Sequence, residues 1–346
     1  MAKRITVAVD ANGADLGPSE VAAGAAVAAA RGTRVLIFGP AQEIGEVPDG
    51  VEVVDAPVSI AKASDSARAA RSTPESSIVQ AAKAVACGDA DALVSGGSTG
   101  TALAAGLFNI RRAAGIYRPA LAIPMPIPGS PALLLDVGAN VEVRSEYLVQ
   151  FAFMGVAFSR AVLGIACPRV GLLSNGSEPT KGTPLVIEAH NQLSTLMAGA
   201  PDLEFIGNIE GNDVTAGVAD VVVMDGFTGN VTLKVMEGSL ATMLKAIGDV
   251  SKGSLRDRAG GLLLAPGIRE LRDELDPETT GGAYMLGLRR LGVVTHGRFT
   301  RRGFARAIEL AERGVREDLV GRTHAALEAA GALRSSPSGD GSSVDA

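Results

Sequence analysis

Short β-branched runs alternate with longer Ala- and Leu-rich stretches along most of the chain. That alternation is the pattern of a mostly parallel sheet with helices on both faces. Apolar runs at 5–9, 34–38, 51–54 and 92–94 predict the first strands, and others follow at 120–124, 132–136, 170–173, 204–206, 221–224 and 293–295. Helices are predicted to open at Pro18 and to span 76–86, 101–112, 146–163, 185–196, 231–248 and 304–328. No repeat or linker interrupts the series, so residues 1–334 are expected to form a single α/β domain. The Ser/Gly/Asp-rich tail at 335–346 offers little apolar surface to bury and is expected to be disordered.

The rhythm breaks at 251–278. Leu262, Leu263 and Leu264 are followed by Pro266, Gly267 and Ile268, which should stop a helix, and a charged helix is predicted at 269–275. Two roles fit this stretch: a cap on the core, or an apolar helical hairpin protruding at about 249–278 toward a membrane surface or a partner.

Composition narrows the function. The chain has 346 residues, 47% of them hydrophobic, enough for a large core. Its two cysteines, Cys87 and Cys167, are far apart, and no CxxC, HExxH or EF-hand spacing occurs, so neither a disulfide nor a metal is expected. A net charge of −6 and 3% aromatic residues weigh against nucleic-acid binding. The Ala-rich stretch 21–30 follows Asp10, Asp15 and Glu20 instead of the basic lead of a signal peptide. The longest uncharged stretch, 119–135, holds five prolines and cannot be a spanning helix. A cytoplasmic protein is expected. One charge asymmetry stands out: Arg289, Arg290, Arg298, Arg301, Arg302 and Arg306 occur with no acidic residue among them. The block reads either as a solvated face or as a dock for an acidic partner.

Open α/β sheets bind ligands beyond the carboxyl ends of their strands. Polar, glycine-bearing loops follow the predicted strands at Asp10, Ser95, Asp136, Ser174, Gly207, Asp225 and His296, and all are expected on one sheet edge. The loop through Gly97, Ser98, Thr99 and Gly100 lies between a strand and a helix, where backbone amides and the positive helix end favour a phosphate. Lys181 reads as a phosphate-neutralising cation or a solvated loop charge. Asn230 is a ligand or a plain N-cap for the helix predicted from 231. Asp10 and Asp136 are ligands or loop-capping groups, and His296 is a site residue or a structural histidine.

Together these loops carry a resemblance. Asp10 to Asp15, Ser95 to Gly100, Leu134 to Asn140 (LLDVGAN), Phe205 to Gly211, Asp225 to Val231 (DGFTGNV) with Lys234, Gly281 to Ala283 and His296-Gly297 resemble, in order, the PlsX family of bacterial acyl-[acyl-carrier-protein]:phosphate acyltransferases. The resemblance runs from about residue 5 to about 328. It implies a Rossmann-like three-layer α/β/α sandwich and a homodimer without metal or organic cofactor. The implied reaction moves a fatty acyl group from acyl carrier protein to orthophosphate, and a membrane glycerol-3-phosphate acyltransferase uses the acyl phosphate for phospholipid synthesis. It also implies peripheral membrane attachment through the apolar tip at Leu262, Leu263, Leu264 and Ile268.

Carried over by motif, Lys181 and Asn230 become the catalytic pair. Gly97, Ser98, Thr99, Gly100, Asp10, Asp136, Asn140, Asp225 and His296 become the phosphate and thioester site, with amides at Gly97 to Gly100 and at Asn230 as donors. The chain departs from the family pattern at Asn12, Ala14 and Leu16, at Gly97 and Ser98, around Ser177, and at Arg298-Phe299. Other readings are an acetyl-phosphate-forming transferase, a metal-dependent decarboxylating dehydrogenase on a similar fold, and a non-catalytic scaffold that recruits acyl carrier protein.

Overall fold

The computed structural model describes residues 4–127, 131–198, 200 and 202–334. The tail at 335–346 lies outside the described residues. Eleven strands among those described form one sheet: β1 (Thr6–Asp10), β2 (Arg34–Gly39), β3 (Val51–Asp55), β4 (Ala92–Ser95), β5 (Ala120–Met125), β6 (Ala132–Leu135), β7 (Arg169–Leu173), β8 (Glu204–Ile209), β9 (Val221–Val223), β10 (Ala283–Leu286) and β11 (Leu291–Val294). Their spatial order is β3-β2-β1-β4-β11-β10-β5-β6-β9-β7-β8. The predicted strands are all present, and β10 is added. Its short Ala-Tyr-Met-Leu run between glycines carries little strand signal, but Tyr284 is fully buried and its hydroxyl donates to the Leu310 carbonyl at 2.6 Å.

Pairing is parallel except at β10–β11, β10–β5 and β5–β6. These reversals make β6, β9, β7 and β8 run opposite to β1, β4 and β11. The expectation that all the glycine-bearing loops share one edge is therefore corrected. Loops after β1, β4 and β11 leave one end of the sheet, and loops after β6, β7, β8 and β9 leave the other. Local hydrophobic pattern marks a strand but carries no information about its direction.

Helices Pro18–Ala30, Ser145–Phe158 and Arg301–Arg316 bury their apolar sides on one face of the sheet, while Ser77–Cys87 and Thr99–Ala105 cover the opposite face. Gly24 permits one close approach, since a Cβ there would lie 2.7 Å from that of Phe304. Among the described residues, one helical stretch, Ser145–Leu163, is long and apolar enough to span a membrane; 78% of its apolar window is buried inside the protein, as a core helix requires. The predicted helix at 304–328 is two helices, Arg301–Arg316 and Leu319–Ala329. They part at Asp318, which has φ of 49° and accepts from the Gly321 amide.

The hairpin differs from its expected outline. Its first arm is the whole helix Gly226–Val250, and its second is Leu255–Glu274, opened by a Ser254–Asp257 capping box. Pro266 and Gly267 lie inside the second arm and do not end it. The arm has no buried residue, so water can satisfy the carbonyl that Pro266 leaves without a donor. The leucines consequently lie along the second arm rather than at the tip. Leu262, Leu263 and Leu264 are 77%, 83% and 64% exposed, while Ile268 is partly covered. Val235, Met243, Ile247 and Val250 expose further apolar surface on the first arm.

Candidate functional site

A cleft of about 970 Å3 lies over the middle of the sheet. Leu121 and Ile123 of β5 and Ala283 of β10 contribute apolar surface to it. Central strands β10 and β11 are four residues long, so the two sheet ends are only about 13 Å apart there. Loops from opposite ends can thus share one cavity. Asn12, Gly13, Gly97, Ser98, Thr99 and His296 come from the β1, β4 and β11 side. Gly138, Asn230, Leu233, Lys234 and Glu237 come from the β6 and β9 side.

Backbone packing holds the first wall. A Cβ on Gly13, at φ +117°, would lie 2.6 Å from the Cβ of Ala61 and 2.9 Å from Gly97 Cα. The Asp15 amide donates to the Gly297 carbonyl at 2.7 Å, tying the first loop to the last. Asn12, one of the departures from the family pattern, donates through Nδ2 to the Ala56 carbonyl at 2.9 Å. Ser98, another departure, caps helix Thr99–Ala105 by accepting from the Thr101 amide at 3.3 Å. The Gly97 amide donates to Ser95 Oγ at 3.1 Å. Gly97 therefore shapes the wall with its amide already engaged, whereas Thr99 and Gly100 begin the helix, where amides lack intrahelical acceptors.

Five residues assigned to the anion site do not line it: Gly100, which is turned against Ser66 one residue past the lining Thr99, and Asp10, Asp136, Asn140 and Asp225. Asp10 is buried and accepts from Ser77 Oγ at 2.6 Å, Ser95 Oγ at 2.8 Å and the Asn12 amide at 3.2 Å. Asp136 is fully buried and accepts from the amides of Leu121, Gly138, Ala139 and Asn140 and from Asn140 Nδ2. Asn140 Nδ2 also donates to the Pro119 carbonyl at 2.8 Å. Asp225 caps helix Gly226–Val250 through the amide and hydroxyl of Thr228. These groups brace loops and do not face a ligand. Asp225, not Asn230, is the N-cap. Asn230 lies within the first turns, where its amide belongs to the helical hydrogen-bond ladder and only its side chain is offered to the cleft.

Lys181 is exposed on the loop after β7 and does not line the cleft. Its carbonyl accepts from Asn208 Nδ2 of β8 at 3.3 Å, so it is anchored at the edge strand, with β9 and β7 between it and the Gly138 side of the cleft. The lysines that do line the cleft are Lys62 and Lys234. Lys234 sits one helical turn after Asn230, a spacing legible in the sequence once the helix start is known. Lys62 follows an Ala/Ser loop with no motif to mark it. Among the described residues no group of three His, Cys, Asp or Glu side chains is placed to hold a metal.

His296 and Asp10 both have shifted acidity. Burial, with Arg298 and Lys234 nearby, holds the His296 imidazole below its usual range, against the pull of Glu237 and Asp15. At neutral pH it is an uncharged hydrogen-bonding group. Burial also pushes Asp10 up to about 6, with its serine and backbone donors opposing. A carboxyl that ionises later folded than unfolded stabilises the fold while protonated. That contribution is complete below the unfolded value of 3.8, declines as the pH rises, and is lost above about 6. The shift corresponds to about 3 kcal/mol. Asp10→Asn should remove this decline, seen as a flatter pH profile of the denaturant midpoint between pH 4 and 7. Parallel profiles for the two proteins would contradict it.

With this geometry in place, the relatives are informative. A family model described as "Fatty acid synthesis protein" matches residues 5–322. A phosphate acyltransferase from Moorella thermoacetica is 40% identical over 321 residues, covering 91% of this chain and 93% of that protein. One from Thermobifida fusca is 42% identical over 312 residues, covering 88% and 86%. The chain belongs to the PlsX family of phosphate acyltransferases. Among solved structures, a phosphotransacetylase from Streptococcus pyogenes superposes with a TM-score of 0.61 at 16% identity, over 91% of this chain and 95% of its own. The EutD phosphotransacetylase from Staphylococcus aureus gives 0.60 at 15% identity, over 90% and 94%. These likenesses establish the shared Rossmann-like fold. The PlsX-family chain is thus an acyltransferase of fatty acid and phospholipid synthesis, with a cleft assembled from both ends of its sheet.

Proposed function

We propose that the cleft transfers a fatty acyl group from acyl-[acyl carrier protein] to orthophosphate. The observation that carries this reading is the convergence of the Thr99 helix start, the Asn230 side chain and Lys234 over the apolar patch of Leu121 and Ile123. Orthophosphate is anionic at neutral pH and needs no activated serine or cysteine. Its oxygen attacks the thioester carbonyl, a C–O bond forms, the C–S bond breaks, and the carrier's thiol leaves with a proton. The free amide at Thr99 and the Asn230 side chain hold phosphate and the developing oxyanion, each such donor being worth about 3 kcal/mol in the transition state. Lys234 neutralises phosphate charge. Lys181, exposed on the loop after β7, is assigned the proton for the leaving thiolate.

The test is hydroxylamine trapping of acyl phosphate from palmitoyl-acyl carrier protein and phosphate. Asn230→Ala and Lys181→Ala should each lower turnover by about tenfold or more. Lys181 is exposed, so its variant should keep the melting temperature. Unchanged rates in both would remove the site assignment.

We propose further that the protein is a cytoplasmic homodimer attached peripherally to the membrane by the hairpin, delivering acyl phosphate to a membrane glycerol-3-phosphate acyltransferase. The exposed leucines of the second arm support membrane contact. Leu262→Asp with Leu263→Asp should abolish co-flotation with anionic vesicles while acyl transfer in detergent-free buffer persists. Unchanged flotation would dismiss the hairpin as the anchor.

A further inference from the structure

A second, open groove of about 450 Å3 adjoins the cleft. It is lined by the segment that follows β3, and it shares Ser59 and Lys62 with the cleft itself. Its remaining lining is mixed: Ser64, Ser72 and Thr73 with Asp65 and Arg68, beside Ile60, Ala63 and Ala69. Lys62 and Arg68 are exposed. Among the described residues neither side chain has a carboxylate partner. The acidic residue of the groove, Asp65, already accepts from the Arg68 amide at 2.9 Å as the cap of the helix Ser66–Ser72.

The segment is held in place. The Ser77 amide donates to the Val58 carbonyl at 3.0 Å, and Asn12 Nδ2 donates to the Ala56 carbonyl at 2.9 Å. Ala61 fills the space left by the missing side chain of Gly13. Gly100 is equally close to Ser66, whose Oγ would lie 2.8 Å from a Cβ at that position. The groove is therefore registered against the Gly97 to Gly100 wall through two close contacts, and its cations stand at a fixed place relative to the reacting end.

We infer that this groove is the track by which the prosthetic arm of the acyl donor enters, with Lys62 and Arg68 binding the arm's phosphodiester. This rests on the acyl-carrier reading above. A phosphopantetheine-borne acyl group has an apolar tail, a thioester, an arm of amides and a phosphodiester at its far end. The cleft presents an apolar patch and the amide-bearing wall, Lys62 stands where cleft and groove meet, and the groove beyond adds hydroxyls and Arg68. A second anionic ligand, free orthophosphate, has the same charge chemistry, so the test must separate the two.

Three palmitoyl thioesters serve as donors: with pantetheine, which has no phosphate, with 4′-phosphopantetheine, and with acyl carrier protein. The readout is the ratio of kcat/KM for each phosphate-bearing donor to that for palmitoyl-pantetheine. Lys62→Gln with Arg68→Gln should lower this ratio by about tenfold or more, as expected for lost charge-assisted contacts to a phosphate. Lys62→Arg with Arg68→Lys should retain most of it. An unchanged ratio overturns the track, and so does a raised KM for orthophosphate with the ratio unchanged, which would give the two cations to the acceptor. Wild-type protein that makes no acyl phosphate from any donor would instead bring down the acyl-transfer reading, and the track with it.

Discussion

Asp136→Ala should unfold the centre of the protein more readily than any other single truncation of a polar side chain. The carboxylate has no exposed surface, and it accepts from four backbone amides and from Asn140 Nδ2. Burial pushes its carboxyl above the usual range, while the amides of Ala139, Leu121 and Gly138 and the Asn140 side chain oppose that shift. Removing the acceptor leaves donors that the fold has already taken from water. The amides of Gly138, Ala139 and Asn140 are in partly covered residues that water can reach, but the Leu121 amide belongs to a strand residue only 3% exposed. Each buried donor left unsatisfied costs about 1–3 kcal/mol, so a loss of about 3 kcal/mol is expected in urea unfolding. Asp136→Asn keeps one accepting oxygen but turns an amide group toward other donors, and should lie between wild type and Ala. Turnover should fall in both, because Gly138 lines the cleft. A loss below about 1 kcal/mol for Asp136→Ala would show that water replaces the carboxylate without strain.

The carboxylates also show where sequence reading ends. Most strands were legible because they are short runs of buried side chains, and Val221–Val223 is buried at every position. Strand direction was not, because the reversal at β5–β6 is a property of the connection. Motif reading placed Asp10, Asp136 and Asp225 near the chemistry, and they are indeed in its loops, yet each accepts from a backbone amide, Asp10 from serine hydroxyls as well. A motif reports that a position is constrained without saying whether the constraint is a ligand or a neighbouring amide. Lys62 went unmarked for the opposite reason: its place depends on Ala61 packing against Gly13, a contact 48 positions apart in the chain. The arginine block separates by the same logic. Arg301 pairs with Glu20 and Arg306 with Glu309, and Arg302 lies 3.9 Å from Asp276, so acids outside the run, from one helical turn away to the first helix, compensate half of a run that reads as purely basic.

Gly229→Ala should inactivate the protein through the smallest possible side chain. A Cβ at this position would lie 1.9 Å from the Asp136 carbonyl oxygen and 2.9 Å from its carbon, both backbone atoms that no rotamer change can move aside. Gly226, at the start of the same helix, also approaches backbone, a Cβ there lying 2.7 Å from the Asn140 carbonyl oxygen, and its amide donates to that carbonyl at 2.7 Å. The DGFTGNV glycines therefore let a helix dock directly on the LLDVGAN loop, where sequence reading credited glycine with freeing amides for an anion. Admitting a methyl group must push the helix start away from the loop, and Asn230 and Lys234 move with it. A displacement of about 1 Å typically costs about 100-fold in rate, and overpacking costs about 1–3 kcal/mol of stability. Gly238→Ala is the matched control, since it lies on the same helix with nothing within 4 Å of its Cβ. That variant should gain up to about 1 kcal/mol from helix propensity and keep its turnover. Equal behaviour of the two variants would mean that the helix start moves freely against the loop, and the cleft would then have no fixed wall on its β6 and β9 side.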